Sequence, residues 1–290
     1  MTRRNSRRIN SKQEETKQIN NPRPTSEDNP FGLSFVVATE MVQLPSKGKY
    51  YDQDSSLNGT SEIEIKHMTA KEEDLLVKED YIRKNNVLEK LLESIIVDKN
   101  IKINDLLVED KYALLTSARI TSYGSEYSFK TRCDSCSAEI DFNFDLQKML
   151  DLEPIQKIPD EVEETEEGIF EFKIDTKDLT VGLRILTLEE FEYISEQSKR
   201  RKDLSVPGSE TVDFLNMAVE HVGGFSKREV LSKLFEVLPL KDIRKIRKTY
   251  AAISPSLQKT QTQECPNCAS TVEREVPFSL GWFWPDARIS

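Results

Sequence analysis

The fold is decided by a short stretch in the middle of the chain, Tyr127-Ser-Phe-Lys-Thr-Arg-Cys133-Asp-Ser-Cys136-Ser-Ala-Glu-Ile140-Asp-Phe-Asn-Phe144. Two cysteines separated by two residues stand between segments in which apolar and polar residues alternate, as in half-buried strands. Cys265-Pro-Asn-Cys268 repeats the arrangement near the other end of the chain, after the 128 residues 137–264. We therefore expect two similar hairpins, each with a cysteine pair at its tip.

Each cysteine pair is typical of a metal-binding knuckle, a tight turn that points two sulfurs the same way. Four thiolates from two knuckles match the tetrahedral coordination of Zn²⁺, with Zn–S bonds of about 2.3 Å. The sequence thus predicts an α+β fold with short N-terminal strands and helices, a zinc ribbon assembled from the two knuckles, and a helical insertion between them. The predicted ligands of one structural Zn²⁺ are Cys133, Cys136, Cys265 and Cys268.

Three other interpretations of the cysteines fit the sequence less well. A redox-active pair needs a helix start, whereas these pairs lie between strands. A disulfide within either pair would be strained by its short loop. Two separate metal ions would require further ligands, and the chain has only two histidines, His67 and His221. A catalytic zinc is disfavoured because four thiolates leave no open coordination position.

Composition restricts the class of protein further. Of the 290 residues, 37% are hydrophobic, which is enough to form a core. The formal net charge is −10, which argues against generic nucleic-acid binding. No run approaches the roughly 20 apolar residues that span a bilayer, and no secretory signal is recognisable. We therefore expect a protein of a reducing compartment, with no membrane partner.

Changes in amino-acid composition along the chain predict five regions. Residues 1–30 form a disordered basic arm, 31–150 an α+β region with the first knuckle, and 151–168 an acidic connector. Residues 169–258 form a hairpin plus a helical region, and 259–290 carry the second knuckle and an aromatic C-terminus. The charges of the arm are Arg3, Arg4, Arg7, Arg8 and Lys12.

Local signals place the main elements. Capping boxes are expected where a threonine or serine precedes a glutamate by three residues, at Thr69–Glu72 and Ser226–Glu229. Gly124 is expected to end a helix in a left-handed conformation. Periodicity predicts strands at 62–66, 170–174 and 179–186 and helices at 86–97, 108–122, 188–198 and 212–222. His221 is expected to end the last of these helices, where its charge would complement the helix dipole.

No catalytic residue is assigned, because neither histidine lies in a catalytic pattern and no phosphate-binding loop is present. Two surfaces remain open to more than one interpretation. The basic stripe Lys241, Arg244, Lys245 and Lys248 is either a solvated helix face or a docking face for an acidic partner. The aromatic segment 278–285 either packs on its own chain or anchors a neighbouring subunit.

Three further segments, in this order, resemble the baseplate hub subunit and hub assembly family of T-even-type contractile-tail bacteriophages. They are Leu44-Pro-Ser-Lys-Gly-Lys-Tyr-Tyr51, Ile65-Lys-His-Met-Thr-Ala-Lys-Glu-Glu-Asp-Leu-Leu76 and Ala118-Arg-Ile-Thr-Ser-Tyr-Gly-Ser-Glu-Tyr127. The resemblance implies a non-enzymatic structural or assembly role in the virion tail baseplate, after assembly in the host cytoplasm. It also implies other baseplate and tail proteins as partners, and a homo-oligomer is compatible with it. The alternative is a zinc-ribbon factor that binds nucleic acid or acts in transcription.

Overall fold

The computed structural model describes residues 37–151, 156–205, 208–276, 278 and 280–283. The predicted basic arm and the last part of the aromatic segment lie outside these residues. The described helices include none long and apolar enough to cross a membrane.

The N-terminal part contains a two-stranded antiparallel sheet and three short helices. Strand β2 is amphipathic, with Ile63 and Ile65 buried and its other side chains turned outward. Helix α1 begins at the predicted capping box, where Glu72 accepts hydrogen bonds from the backbone amide and hydroxyl of Thr69. The elements are β1 (Thr39–Gln43), β2 (Glu62–Lys66), α1 (Ala70–Leu76), α2 (Glu79–Arg83) and α3 (Val87–Ile95).

Helix α4 (Val108–Tyr123) is buried along much of its length, including the charged side chains of Asp110 and Arg119. It ends at Gly124, as the sequence predicts, with φ at +87° and ψ at 166°. The positive φ fits a glycine, although the backbone is extended there rather than left-handed helical. Arg119 donates to the carbonyl of Gly124 at 2.8 Å and so holds this end of the helix.

The first cysteine pair lies at the tip of an antiparallel hairpin, formed by β3 (Glu126–Arg132) and β4 (Glu139–Asp145). Ile140, Phe142 and Phe144 of β4 are all buried, which confirms the predicted alternation. Helix α5 (Gln147–Asp151) follows directly.

The described part of the insertion between the knuckles contains a four-stranded antiparallel sheet and, after α5, four more helices. The strands follow one another in the order β5 (Glu163–Glu164), β6 (Phe170–Lys173), β7 (Thr180–Leu183) and β8 (Val219–Val222). Helices α6 (Leu188–Asp203) and α7 (Glu210–Ala218) connect β7 to β8, and α8 (Arg228–Val237) and α9 (Leu240–Ile253) follow. The chain then forms the second hairpin, β9 (Thr260–Glu264) and β10 (Thr271–Glu275).

One predicted helix was too long. The helix expected over 212–222 ends at Ala218, and the next four residues form β8, because Val219 and Val222 are buried where they pair with β7. His221 therefore lies in a strand and not at a helix end. Its Nε2 is 3.0 Å from a carboxylate oxygen of Glu171 in β6.

The second predicted capping box was also wrong. Helix α8 begins at Arg228 with Lys227 as its N-cap, one residue after the predicted serine cap at Ser226. A capping box does form at the start of α6, where the side chain of Thr187 accepts the amide of Glu190 and Glu190 accepts the amide of Thr187. Sequence spacing alone did not distinguish the two sites.

Candidate metal centre

The two knuckles have the same backbone geometry. In the first, the amide of Cys133 donates to Ala138 at 2.9 Å and the amide of Ser137 donates back to Cys133 at 2.9 Å. In the second, the equivalent hydrogen bonds join Cys265 to Ser270 and Ala269 to Cys265, both at 2.8 Å. Ser137 and Ala269 occupy the same position after the second cysteine, with φ of +59° and +56°. Each cysteine pair thus ends its hairpin in the same turn.

The fold brings the four predicted sulfurs together from both ends of the insertion. All four Sγ atoms lie within 4.8 Å of one another. Cys133 and Cys268 are 3.7 Å apart, and Cys136 and Cys265 are 3.8 Å apart. These separations exceed the roughly 2.05 Å of a disulfide bond. They match the ~3.8 Å that a tetrahedron with Zn–S bonds of about 2.3 Å requires, so the donor set fits a tetrahedral ion.

The surroundings of the sulfurs shift their thiol pKa values in opposite directions. Hydrogen bonds from the Ser270 hydroxyl and the backbone amide of Cys136 lower the pKa of Cys133 to about 6. The amide of Asn267 also favours the thiolate of Cys265, yet burial and the neighbouring thiols raise the pKa of Cys265 to about 11. Four adjacent thiolates repel one another, and a bound divalent cation removes that repulsion.

Two glutamines of β9 join the second hairpin to the first. Gln263 accepts the amide of Asn143 at 2.9 Å and donates to the carbonyl of Asp141 at 3.0 Å. Gln261 accepts the amide of Asp145 at 3.1 Å and donates to the carbonyl of the same residue at 2.7 Å. Their side-chain amides pair with the outer edge of β4 as a neighbouring strand would. We call this pair of residues the glutamine seam.

Arg274 of β10 makes a second connection between the hairpins. Its Nε donates to the hydroxyl of Thr131 at 2.9 Å, and its Nη1 pairs with Asp134 at 2.9 Å. The guanidinium also donates to the carbonyl of Arg132 and lowers the pKa of Asp134. Asp134 lies between the two cysteines of the first knuckle, so Arg274 fixes that knuckle against the second hairpin.

A buried polar network beside α4 was not predicted from the sequence. The carboxylate of Asp110 accepts the amide of Ser46 at 2.9 Å, the hydroxyl of Ser46 at 2.6 Å and the hydroxyl of Tyr51. Tyr51 in turn accepts the amide of Leu107 at 3.1 Å. The only signal was an acid in the first turn of a helix, which is common. The network fixes Ser46 and Tyr51, which belong to the first resembling segment, against Asp110 of α4.

The other singled-out residues lie apart from the cysteine cluster. Among the described residues, that cluster contains no histidine. The described residues of the aromatic segment pack on their own chain: Phe278 stacks on Tyr112 of α4 at 4.2 Å between ring centroids, and Trp282 and Phe283 are buried. This arrangement favours the first of the two interpretations given for that segment.

Fold and site together define an α+β protein whose two distant hairpins meet at four clustered cysteines. A family model described as "T4 bacteriophage base plate protein" matches residues 37–281, which include both knuckles. The chain therefore belongs to the T4 bacteriophage base plate protein family. Searches of curated proteins and of solved structures found no match. Family membership supports a structural role in the virion tail, with other baseplate or tail proteins as partners.

Proposed function

We propose that this chain is a non-enzymatic structural or assembly component of the baseplate hub, stabilised by one Zn²⁺ bound to Cys133, Cys136, Cys265 and Cys268. The observation that carries the proposal is the family match, which spans the part of the chain that the cysteine cluster closes. The three segments that resemble the hub family support the hub position.

The ion would act as a structural clamp. It would join the hairpins that precede and follow the insertion, so that the intervening residues form one closed loop. Closing so long a loop costs chain entropy that grows only with the logarithm of its length. Structural zinc sites contribute on the order of 10 kcal/mol in finger peptides, so binding outweighs that cost. All four ligands are sulfurs, which leaves no coordination position for a substrate.

Mass spectrometry of purified phage tails tests the baseplate role. We expect the chain in tails at a fixed copy number relative to the other baseplate proteins. Presence in assembly intermediates with absence from finished tails would support the assembly role over the permanent one. Absence from both would contradict the proposal.

The zinc-ribbon nucleic-acid factor is distinguished by binding to duplex DNA at several salt concentrations. A phosphate-binding protein loses affinity steeply as salt rises. Tight, salt-sensitive binding by the whole chain, in spite of its net charge of −10, would favour that alternative. We expect no such binding.

A further inference from the structure

Helix α9 presents a basic face that its own chain leaves largely unpaired. Arg244, Arg247 and Lys248 are exposed, and the described part of the chain supplies none of them with an ion-pair partner. The single acid of the helix, Asp242, is buried and accepts hydrogen bonds from the amide of Asp175 and the hydroxyl of Thr176. The exposed side of α9 therefore carries positive charge alone.

Exposed apolar side chains adjoin this basic face. Leu240 is the first residue of α9 and is 68% exposed, and Val237, at the end of α8, is 76% exposed. A patch that combines positive charge with bare aliphatic side chains is typical of a protein-binding surface. A phosphate backbone would use the charge but not the aliphatic groups. We call Val237, Leu240, Arg244, Arg247 and Lys248 the α9 patch.

A complementary surface lies elsewhere on the same chain. Residues 160–167 carry six exposed acids, of which only Glu164 forms an ion pair within the described residues, with Lys49 at 3.3 Å. Ile158, two residues before them, is also exposed. We call residues 158–167 the acidic turn. Its acids are Asp160, Glu161, Glu163, Glu164, Glu166 and Glu167.

The acidic turn begins close to the end of α9. The amide of Lys157 donates to Ala252 at 3.0 Å, and the side chain of Gln156 donates to Ile253 at 2.6 Å. The structure shows no ion pair between the α9 patch and the described acids of the turn. Both surfaces therefore remain available to another molecule.

We propose that the α9 patch docks the acidic turn of a second copy of this chain. Because each copy carries both surfaces, two copies can exchange them about a two-fold axis, in an isologous contact. Opposite charges would fix the register at the rim, and Ile158 would meet Leu240 and Val237 at the centre. This inference does not depend on the metal or on the hub assignment.

The test is sedimentation velocity of the full chain in about 0.1 M and about 1 M NaCl, between which the Debye length falls from ~10 to ~3 Å. We expect self-association at the lower salt that weakens at the higher. A chain that stays monomeric at its highest soluble concentration in both would overturn the proposal.

Charge reversal makes the test specific. One variant carries Arg244→Glu, Arg247→Glu and Lys248→Glu, and the other carries Glu161→Lys, Glu166→Lys and Glu167→Lys. We expect each variant alone to dissociate at least tenfold more readily than the wild type, and an equal mixture of the two to associate again. Recovery in the mixture shows that both variants are folded, because a misfolded variant would not regain its partner.

A matched control reverses three exposed charges on another helix, with Lys199→Glu, Arg200→Glu and Lys202→Glu in α6. We expect this control to associate like the wild type. Equal losses in control and test variants, or failure of the mixture to associate, would overturn the proposal. Salt-sensitive binding of the wild type to duplex DNA that the α9 variant alone loses would instead make the patch a nucleic-acid site.

Discussion

The side-chain carbonyl of Gln263 accepts the backbone amide of Asn143 at 2.9 Å, across 120 residues of sequence. The same side chain donates to Asp141, so one glutamine occupies both a donor and an acceptor on the edge of β4. The two hairpins of the ribbon are thus joined by side chains where a continuous sheet would use backbone. These hydrogen bonds connect the two hairpins in addition to any bound metal.

Replacing both seam residues, Gln261→Ala with Gln263→Ala, should weaken the ribbon without removing a cysteine. Each of their four hydrogen bonds contributes roughly 0.5–1.5 kcal/mol, so we expect the pair to lower the free energy of unfolding by at least about 2 kcal/mol. Urea denaturation measures the loss. The exposed Gln53→Ala serves as control, and an equal loss in that variant would contradict a specific role for the seam.

Tyr51→Phe tests the buried network around Asp110. The substitution removes the hydroxyl that donates to Asp110 and accepts from Leu107. Because the amide of Leu107 is then left without its partner, we expect a loss of about 1–3 kcal/mol in unfolding free energy. The matched change Tyr193→Phe, at an exposed ring, should stay within about 0.5 kcal/mol of the wild type. Similar values for both would show that the network adds no stability.

Gly48→Ala tests whether the first segment of the family resemblance, residues 44–51, requires a glycine at position 48. Gly48 has φ of +75°, and a Cβ there would lie 2.3 Å from the backbone nitrogen of Thr60. Gly59 has nearly the same φ, +72°, with open space around it. Gly59→Ala should therefore cost only the conformational penalty of about 1–2 kcal/mol.

The steric clash should add at least about 2 kcal/mol for Gly48→Ala. Thermal unfolding of the two variants side by side measures the difference. Equal melting temperatures would mean that the loop relaxes without cost and that the clash is unimportant.

The ion pair of Glu190 with Arg184 predicts a pH dependence. Burial alone would raise the pKa of Glu190, but hydrogen bonds from Arg184 and Thr187 outweigh it and hold the pKa below its ordinary value of 4.5. The charged form is thus favoured in the folded state. Its contribution to stability is complete above pH 4.5 and is lost as the pH falls through the depressed folded-state pKa.

We therefore expect Glu190→Gln to destabilise the protein at neutral pH and to approach the wild type as the pH falls below about 4.5. Denaturation of both proteins at each pH gives the difference between their free energies of unfolding. Effects that the two proteins share, such as release of a metal at low pH, cancel in that difference. A difference that does not change with pH would contradict this assignment.

Sequence patterns predicted the local parts of the fold and missed the long-range ones. Alternation identified the strands on either side of Cys133 and Cys136, because these hairpin strands are buried on one face. The same reasoning predicted that α7 continues through His221. Val219 and Val222 fit a helix or a strand equally well, and their pairing with β7 makes this segment a strand. The network of Asp110 with Ser46 joins positions 64 residues apart, and no local pattern contains such a contact.

The cysteine cluster is the exception to that limit. Its four members lie up to 135 residues apart, yet they were predicted together because tetrahedral coordination requires four ligands and each knuckle supplies two. The coordination chemistry of a metal ion therefore predicts a contact between distant residues, which hydrophobic periodicity cannot do. The structure brings these sulfurs within 4.8 Å of one another.

Metal analysis of the full chain, purified without chelators, tests the central claim most directly. We expect one zinc per chain in the wild type and in the control Ser135→Ala, and loss of zinc with a lower melting temperature in Cys133→Ser and Cys265→Ser. A wild type that carries no metal and cannot be loaded with zinc would contradict the account. So would a cysteine variant that keeps both its zinc and its stability.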